Sequence, residues 1–269
     1  MSSKSKDNKK LVLLIVASVS VVVLIVCVVR LALYSLDSYR SEKNVDNLKE
    51  KIENDISSSS GEVSGMSGES ISEEITVSKF NTLYKENRDF AGWIHIDGTK
   101  IDYPVMQTIN DEEFYLHRNF YKEESAAGLP FIDCRCDIVR PSTNIIIYGH
   151  NMKSGDMFAD LLKYDDKDYL EEHDTIVFDT IFRENKYKII SVFRTDVSED
   201  SGEDFKFYTF VNASDSYSLK RYLAEVKSYS KHEIPFDPDK VVSVITLSTC
   251  EYTKKDGRYV VIAAKMSDI

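Results

Sequence analysis

Apolar residues beyond position 77 mostly form the short runs and two-residue alternations typical of β-strands. Asn144–Tyr148, with the sequence NIIIY, is a continuous apolar run that is typical of a buried central strand. Five further strands are predicted at Gly92–Ile96, Ile101–Met106, Phe131–Cys136, Thr175–Asp179 and Lys186–Thr195. With a final pair of strands near the C-terminus, the pattern predicts seven or eight short strands that dominate the core.

Helical spacing appears in a few places between these strands. Ser214–Ser230 is the clearest case, with Ser214 or Asp215 as its N-terminal cap. Its apolar residues at helical spacing are Leu219, Tyr222, Leu223, Val226 and Tyr229. Shorter helices are predicted at Met157–Lys163 and Lys167–Glu172. The fold class is therefore mainly β with added helices.

The N-terminus carries a different pattern. Residues 11–29 are 19 uncharged residues, long enough to cross a hydrocarbon core as a helix. A cleaved signal peptide is the alternative, but its apolar core is normally shorter and the small-residue cleavage site after it is poor here. Lysines precede the span at Lys4, Lys6, Lys9 and Lys10. By the positive-inside rule, we expect a cytoplasmic tail (1–10), a transmembrane helix (11–30) and an extracellular body.

Residues 31–76 connect the span to the body. Their first part has a loosely helical spacing of apolar residues among many charges, which indicates a stalk helix over about 31–56. Residues 57–74 are rich in Ser, Gly and Glu, a composition typical of a flexible linker. The folded domain is therefore expected at 77–269.

Composition limits the partners of that domain. An apolar fraction of 42% is enough for a sizeable core, and the formal net charge is −11. Because the N-terminal residues are basic, the body is more acidic than the whole chain. An acidic body argues against nucleic acid as a partner.

The last two predicted strands carry the first candidate chemistry. Val241–Lys265 reads as two strands joined by a polar loop, with Cys250 where the first ends and Arg258 where the second begins. An antiparallel hairpin would bring Arg258 back beside Cys250. A lone cysteine is ordinarily a small buried apolar residue, but a neighbouring cation favours the nucleophilic thiolate.

His150 follows the strand Asn144–Tyr148 in the sequence YGHN. A histidine at this place is often only a polar residue at the rim of a sheet. Near a cysteine nucleophile, however, an imidazole can hold the thiolate and protonate a leaving amine. The other four histidines sit among charges or at predicted element ends, and surface positions are expected for them.

These residues resemble a known signature. The segment TLSTC (Thr246–Cys250), with Arg258 eight residues on and YGHN upstream, is similar to the motifs of the sortases, and the helix at Ser214–Ser230 is most like class B. Sortases are membrane-anchored cysteine transpeptidases of Gram-positive bacteria. The resemblance implies an eight-stranded sortase β-barrel with Cys250, His150 and Arg258 as catalytic residues and no cofactor.

The same resemblance implies the reaction and its partners. A thiolate attacks the Thr carbonyl of a C-terminal sorting motif on a surface protein, and a peptidoglycan precursor or cross-bridge amine then takes the acyl group. By resemblance, Leu116 and Tyr208 line the peptide groove and Ser248 and Thr249 contact the peptide, although core or strand-end positions would suit them equally. The backbone N–H of Glu251 is expected in the oxyanion hole.

Two matters stay open on sequence alone. Cys134 and Cys136 are expected on one face of a strand, but without a second ligand pair no metal site is predicted. A hydrolase of the same fold, a pilin-polymerising sortase and a non-catalytic surface binding module remain alternatives to the anchoring transpeptidase.

Overall fold

A closed barrel of eight strands forms the body of the protein in a computed structural model, which describes residues 2–59, 78–198, 205–251 and 256–267. The strands are β1 (Phe90–His95), β2 (Asp102–Met106), β3 (Phe131–Ile132), β4 (Asn144–Tyr148), β5 (Thr175–Thr180), β6 (Lys186–Asp196), β7 (Val241–Glu251) and β8 (Gly257–Met266). Their order around the barrel is β1-β2-β3-β4-β7-β8-β6-β5. The predicted eight-stranded barrel is confirmed.

Strand β7 lies between a parallel neighbour, β4, and an antiparallel neighbour, β8. Alternate residues of β7 and β8 belong to two apolar clusters because side chains alternate between the faces of a sheet. Ile245 and Leu247 join the main cluster, which fills the barrel. Val244 and Val260 join a second cluster on the outer face.

Four α-helices accompany the barrel in the described parts of the chain: α1 (Ser2–Ser59), α2 (Asn81–Glu86), α3 (Lys167–Glu172) and α4 (Ser216–Tyr229). Helix α4 buries Tyr222, Leu223 and Val226 in the outer cluster. Asp215 is its N-cap, and the carboxylate accepts the backbone N–H of Ser218 at 2.7 Å. The predicted inserted helix and its cap are therefore present, between β6 and β7.

Helix α1 joins two environments. Its N-terminal part is the one described helix that is long and apolar enough to cross a membrane. Its C-terminal part packs on the barrel, because Val45 and Leu48 are buried in the main cluster and Lys49 pairs with Asp102 at 2.7 Å. The stalk is thus a helix that adheres to the body. Most of the predicted linker at 57–74 lies outside the described residues, and the domain limits stay predictions.

The predicted strand Phe131–Cys136 is wrong beyond Ile132. The chain turns at Asp133, whose carboxylate accepts the backbone N–H of Arg135 at 3.0 Å. Asp forms such turns with its own following backbone, in competition with a strand. Cys134 is consequently half-buried and Cys136 buried, rather than both lying on one strand face. The predicted helix at Met157–Lys163 is a 3₁₀ helix at Ala159–Asp165.

Candidate active site

The hairpin of β7 and β8 places a cation beside the candidate nucleophile. Cys250 is paired directly with Arg258 in the antiparallel register. Side chains of directly opposed residues lie on the same face, with Cβ atoms about 5 Å apart. Both side chains are half-buried, on the outer face that α4 covers further along these strands. The predicted return of Arg258 to Cys250 is what the register shows.

His150 reaches the same edge of the barrel through β4. The parallel register aligns Asn144 with Val244 and Tyr148 with Ser248. It continues one residue past the strand, where the N–H of Gly149 donates to the carbonyl of Ser248 at 3.1 Å. Two residues further on, the amide of Asn151 donates to the carbonyl of Cys250 at 3.1 Å. His150 is therefore held between two contacts to the end of β7, on the β4 flank, and Arg258 lies on the β8 flank.

The ring of His150 is held by a backbone carbonyl. Its Nε2 lies 2.8 Å from the carbonyl oxygen of Leu116. Because a carbonyl only accepts hydrogen bonds, this contact requires the proton on Nε2 and leaves Nδ1 as the basic nitrogen of the neutral ring.

Burial lowers the pKa of His150, and the neighbouring ring of His117 lowers it further, with 5.5 Å between the ring centroids. The Leu116 carbonyl opposes this shift because it stabilises the imidazolium. The neutral ring is consequently favoured over a wider range of pH than in an ordinary histidine.

Two side-chain hydrogen bonds join the ends of β4 and β7. The Oγ1 of Thr249 donates to the carbonyl of Gly149 at 2.7 Å, and the Nδ2 of Asn151 donates to the carbonyl of Cys250 at 3.1 Å. Both bonds link residues about a hundred positions apart. Asn151 was not among the predicted site residues, and its only signal in the sequence is its place directly after the histidine in YGHN.

Of the residues expected to contact a peptide, those on β7 are the most enclosed. Ser248 and Thr249 are 1% and 2% exposed. The hydroxyl of Ser248 has no hydrogen-bond partner within the described part of the chain, whereas that of Thr249 is engaged with Gly149. The backbone of Glu251 ends β7, and its side chain lies outside the described residues. Peptide contact by these residues stays a prediction.

Leu116 and Tyr208, expected in the groove, are both partly buried against the main cluster. Leu116 touches the site through its carbonyl, at His150. Tyr208 lies in a 3₁₀ turn (Phe207–Thr209), and its carbonyl accepts a hydrogen bond from Nη2 of Arg135 at 2.8 Å. Arg135 thus links the turn after β3 to the segment between β6 and β7.

A buried carboxylate anchors that arginine. The side chain of Asp133 is 1% exposed and accepts Nε of Arg135 at 2.8 Å and the hydroxyl of Tyr148 at 3.0 Å. Burial opposes the charge on Asp133, but the hydrogen bonds from Arg135 outweigh it and hold the pKa below its usual value. The carboxylate, the guanidinium and the phenol therefore form one connected network.

Cys134 and Cys136 have surroundings different from those of Cys250. Burial raises the pKa of Cys136 to about 12, and burial together with Glu112 raises that of Cys134. Both shifts disfavour a reactive thiolate. Ligand atoms of Glu112, Asp133 and Cys134 lie within 4.8 Å of one another, but Asp133 is already paired with Arg135.

Comparison with known proteins places this geometry in a family. Residues 94–266 match the model of the sortase domain. The chain is 38% identical to sortase B of Listeria monocytogenes over 182 residues, which cover 66% of this chain and 70% of that protein. It is 30% identical to sortase B of Staphylococcus aureus over 189 residues, which cover 69% of this chain and 73% of that protein.

Solved structures agree. A substrate complex of Staphylococcus aureus sortase B superposes with a TM-score of 0.69 at 26% identity. The match covers 86% of this chain and 100% of the other. Sortase B of Bacillus anthracis superposes with a TM-score of 0.67 at 27% identity, covering 87% of this chain and 99% of the other. The chain belongs to the sortases, the family of cysteine transpeptidases, and within it resembles the class B members.

Proposed function

We propose that this sortase uses Cys250 as its nucleophile, His150 as its proton carrier and Arg258 as a donor to the oxyanion. The observation that supports these roles is the register that pairs Arg258 with Cys250, together with the hydrogen bonds of Gly149 and Asn151 that hold the segment of His150 against the end of β7. Nucleophile, base and oxyanion donor meet at one edge of the barrel, as acyl transfer requires.

The first half of the reaction is acylation. Nδ1 of His150 takes the proton of the Cys250 thiol, and the sulfur attacks the carbonyl carbon of Thr in a sorting motif. The C–N bond breaks, the imidazolium gives its proton to the departing nitrogen, and a thioester on Cys250 remains. The lowered pKa of His150 suits this step because the neutral ring is the base.

The carbonyl of Leu116 stabilises the protonated form of His150. Once Nδ1 is protonated, the carbonyl faces a charged N–H at Nε2, and a hydrogen bond to a charged donor is stronger than one to a neutral donor. The imidazolium therefore remains oriented between proton uptake and proton release.

Arg258 stabilises the negative charge that develops on the carbonyl oxygen of the substrate during attack. A guanidinium stays protonated at any working pH and offers several fixed donors. Its Nη1 donates to the carbonyl of Gly257 at 3.0 Å, and this bond holds the side chain next to its own strand. Its remaining N–H groups are the proposed partners of the oxyanion.

The second half transfers the acyl group to an amine. The proposed acceptor is the amine of a peptidoglycan precursor or cross-bridge, and the donors are surface proteins with a C-terminal sorting motif. The lysines before the span support a cytoplasmic N-terminus and a catalytic domain outside the membrane, on the side of the proposed partners.

The test is ligation by the full-length chain in detergent micelles. A quenched fluorescent peptide library with Thr fixed before the cleaved bond supplies donors, and triglycine or diaminopimelate supplies the amine. We expect cleaved peptides and a ligated product identified by mass spectrometry, and neither with Cys250→Ala. Cleavage without ligation at saturating amine would contradict a transpeptidase role, and an active Cys250→Ala variant would contradict the nucleophile.

A further inference from the structure

We infer that Asp37, in the stalk part of α1, is a positioning residue that holds the ring of His150 in place through the segment 125–129. The inference rests on the proposed function, because it concerns the imidazole that carries the proton during acylation. Its structural basis is the hydrogen bond from the backbone N–H of Ala126 to Oδ2 of Asp37, at 2.9 Å. A series of backbone contacts leads from there to the ring.

The segment lies against the 3₁₀ turn that contains Leu116. The N–H of Ser125 donates to the carbonyl of His117 at 3.0 Å. The N–H of Leu129 donates to the carbonyl of Tyr115 at 2.9 Å. These two bonds fix the residues on both sides of Leu116, so the direction of the Leu116 carbonyl depends on the segment.

The absence of a side chain at Gly128 lets the two backbones approach closely. A Cβ atom added there would overlap the carbonyl oxygens of Leu116 and Tyr115. The φ of 56° at Gly128 also lies in the left-handed region that favours glycine. The segment therefore packs directly on the carbonyl that lies 2.8 Å from Nε2 of His150. A displacement of the segment would be passed on to that hydrogen bond, because closely packed atoms cannot move independently.

Asp37 connects the segment to a helix that is itself fixed to the barrel. Further along α1, Val45 and Leu48 are buried in the main cluster. Ala126 is exposed, so water would take the place of the carboxylate if Asp37 lost its side chain. The segment would then lose one anchor and keep its bonds to the turn, which limits the expected effect to the precision of the site.

The next residue of α1 contacts the other segment that holds the histidine. The hydroxyl of Ser38 donates to Oδ2 of Asp156 at 3.4 Å. Asp156 lies in the loop that follows His150, and the carbonyl of His150 accepts the N–H of Phe158 at 2.8 Å. The stalk thus contacts both the segment that supports the ring of His150 and the loop that supports its backbone.

The experiment compares Asp37→Ala, the isosteric Asp37→Asn and the control Lys43→Ala in the full-length chain in micelles. Asn keeps a side-chain oxygen that can accept the N–H of Ala126, and Lys43 is exposed on the same helix. NMR of chains labelled with ¹⁵N-histidine reports the tautomer of each ring, and the signals of His150 are identified by their loss in His150→Gln. Single-turnover acylation is measured with the best-cleaved peptide, and thermal unfolding establishes that each variant is folded.

We expect the wild-type ring of His150 to carry its proton on Nε2 alone. In Asp37→Ala its nitrogen shifts should move towards the tautomer mixture of a free imidazole, because the bond to the Leu116 carbonyl is weakened. Acylation should slow roughly three- to tenfold with little change in KM, as the loss of one hydrogen bond implies. Asp37→Asn should retain most of the rate and the wild-type ring shifts, and Lys43→Ala should behave as wild type.

Other results would overturn the inference. Slower acylation by Asp37→Ala with unchanged ring shifts would show that Asp37 does not act through His150. An Asp37→Asn variant as slow as Asp37→Ala would show that the charge matters and the hydrogen bond does not, and a wild-type rate in Asp37→Ala would exclude any role. A wild-type chain that forms no acyl enzyme with any peptide would instead refute the proposed function, while the ring shifts would still test the link from Asp37 to His150.

Discussion

The two parts of the site are held by different kinds of contact. Cys250, Arg258 and His150 stand on or next to paired strands, and the backbone register sets their relation. The segment that carries Tyr208, which is proposed to line the peptide groove, is tied to the turn after β3 by a side chain, Arg135. The strand register is maintained by many backbone pairs along β7 and β8, whereas the position of the Tyr208 segment depends on the guanidinium of one residue, Arg135.

Because the two parts are held by different contacts, mutations in them should change different kinetic constants. Substitutions at the strand edge remove reacting groups without moving the barrel, so they should lower kcat. Substitutions in the Arg135 network should let the segment at Tyr208 move, which would weaken peptide binding and raise KM.

Arg258→Ala should reduce the rate of acylation by two to three decades, because loss of an oxyanion donor costs about 3 to 4 kcal/mol of barrier. Arg258→Lys keeps the charge without the planar set of donors and should recover only part of the rate. Steady-state kinetics with the fluorescent peptide measures both. A raised KM at unchanged kcat would indicate that Arg258 binds the substrate in its ground state and does not stabilise the oxyanion.

Arg135→Ala should raise KM for the peptide about tenfold at nearly constant kcat, since hydrogen bonds to charged groups contribute roughly 1.5 to 3 kcal/mol. Arg140→Ala is the matched control, because Arg140 is five residues away and its side chain is 91% exposed. If Arg135→Ala lowers kcat and leaves KM unchanged, the network supports the reacting groups, and the division between the two parts fails.

The smallest effect concerns the titration of His150. NMR titration of its ring protons should give a pKa below the ordinary histidine value, owing first to burial and then to His117. His117→Gln should raise the pKa of His150 slightly, because it removes the electrostatic effect of the His117 ring that lowers it. The acid limb of acylation should shift to higher pH in step with it. A pKa at or above the ordinary value would contradict the enclosed position of the ring.

The central strands were readable from the sequence because their apolar runs are local. The predicted run Asn144–Tyr148 coincides with β4, and the hairpin of β7 and β8 brings Arg258 to Cys250 as the pattern indicated. The capping residue Asp215 was likewise visible, since a cap and its helix are adjacent in the chain.

The features that the sequence did not reveal depend on contacts between residues far apart in the chain. The bond from Asn151 to Cys250 joins residues 99 positions apart, and the bond from Arg135 to Tyr208 joins residues 73 apart. The strand predicted through Cys136 failed because the carboxylate of Asp133 bonds to the backbone of its own turn. The packing of α1 on the barrel through Leu48 was also not predicted, since a loosely helical pattern does not indicate which surface the helix packs against.

Acylation of Cys250 is the step on which every proposed role depends. Single-turnover mixing of the full-length chain with the cleaved peptide, followed by acid quenching and peptide mapping, locates the acyl group. We predict a thioester on Cys250 in the wild-type chain and none in Cys250→Ala. An acyl group on Cys134 or Cys136, or an adduct that persists in Cys250→Ala, would contradict the account.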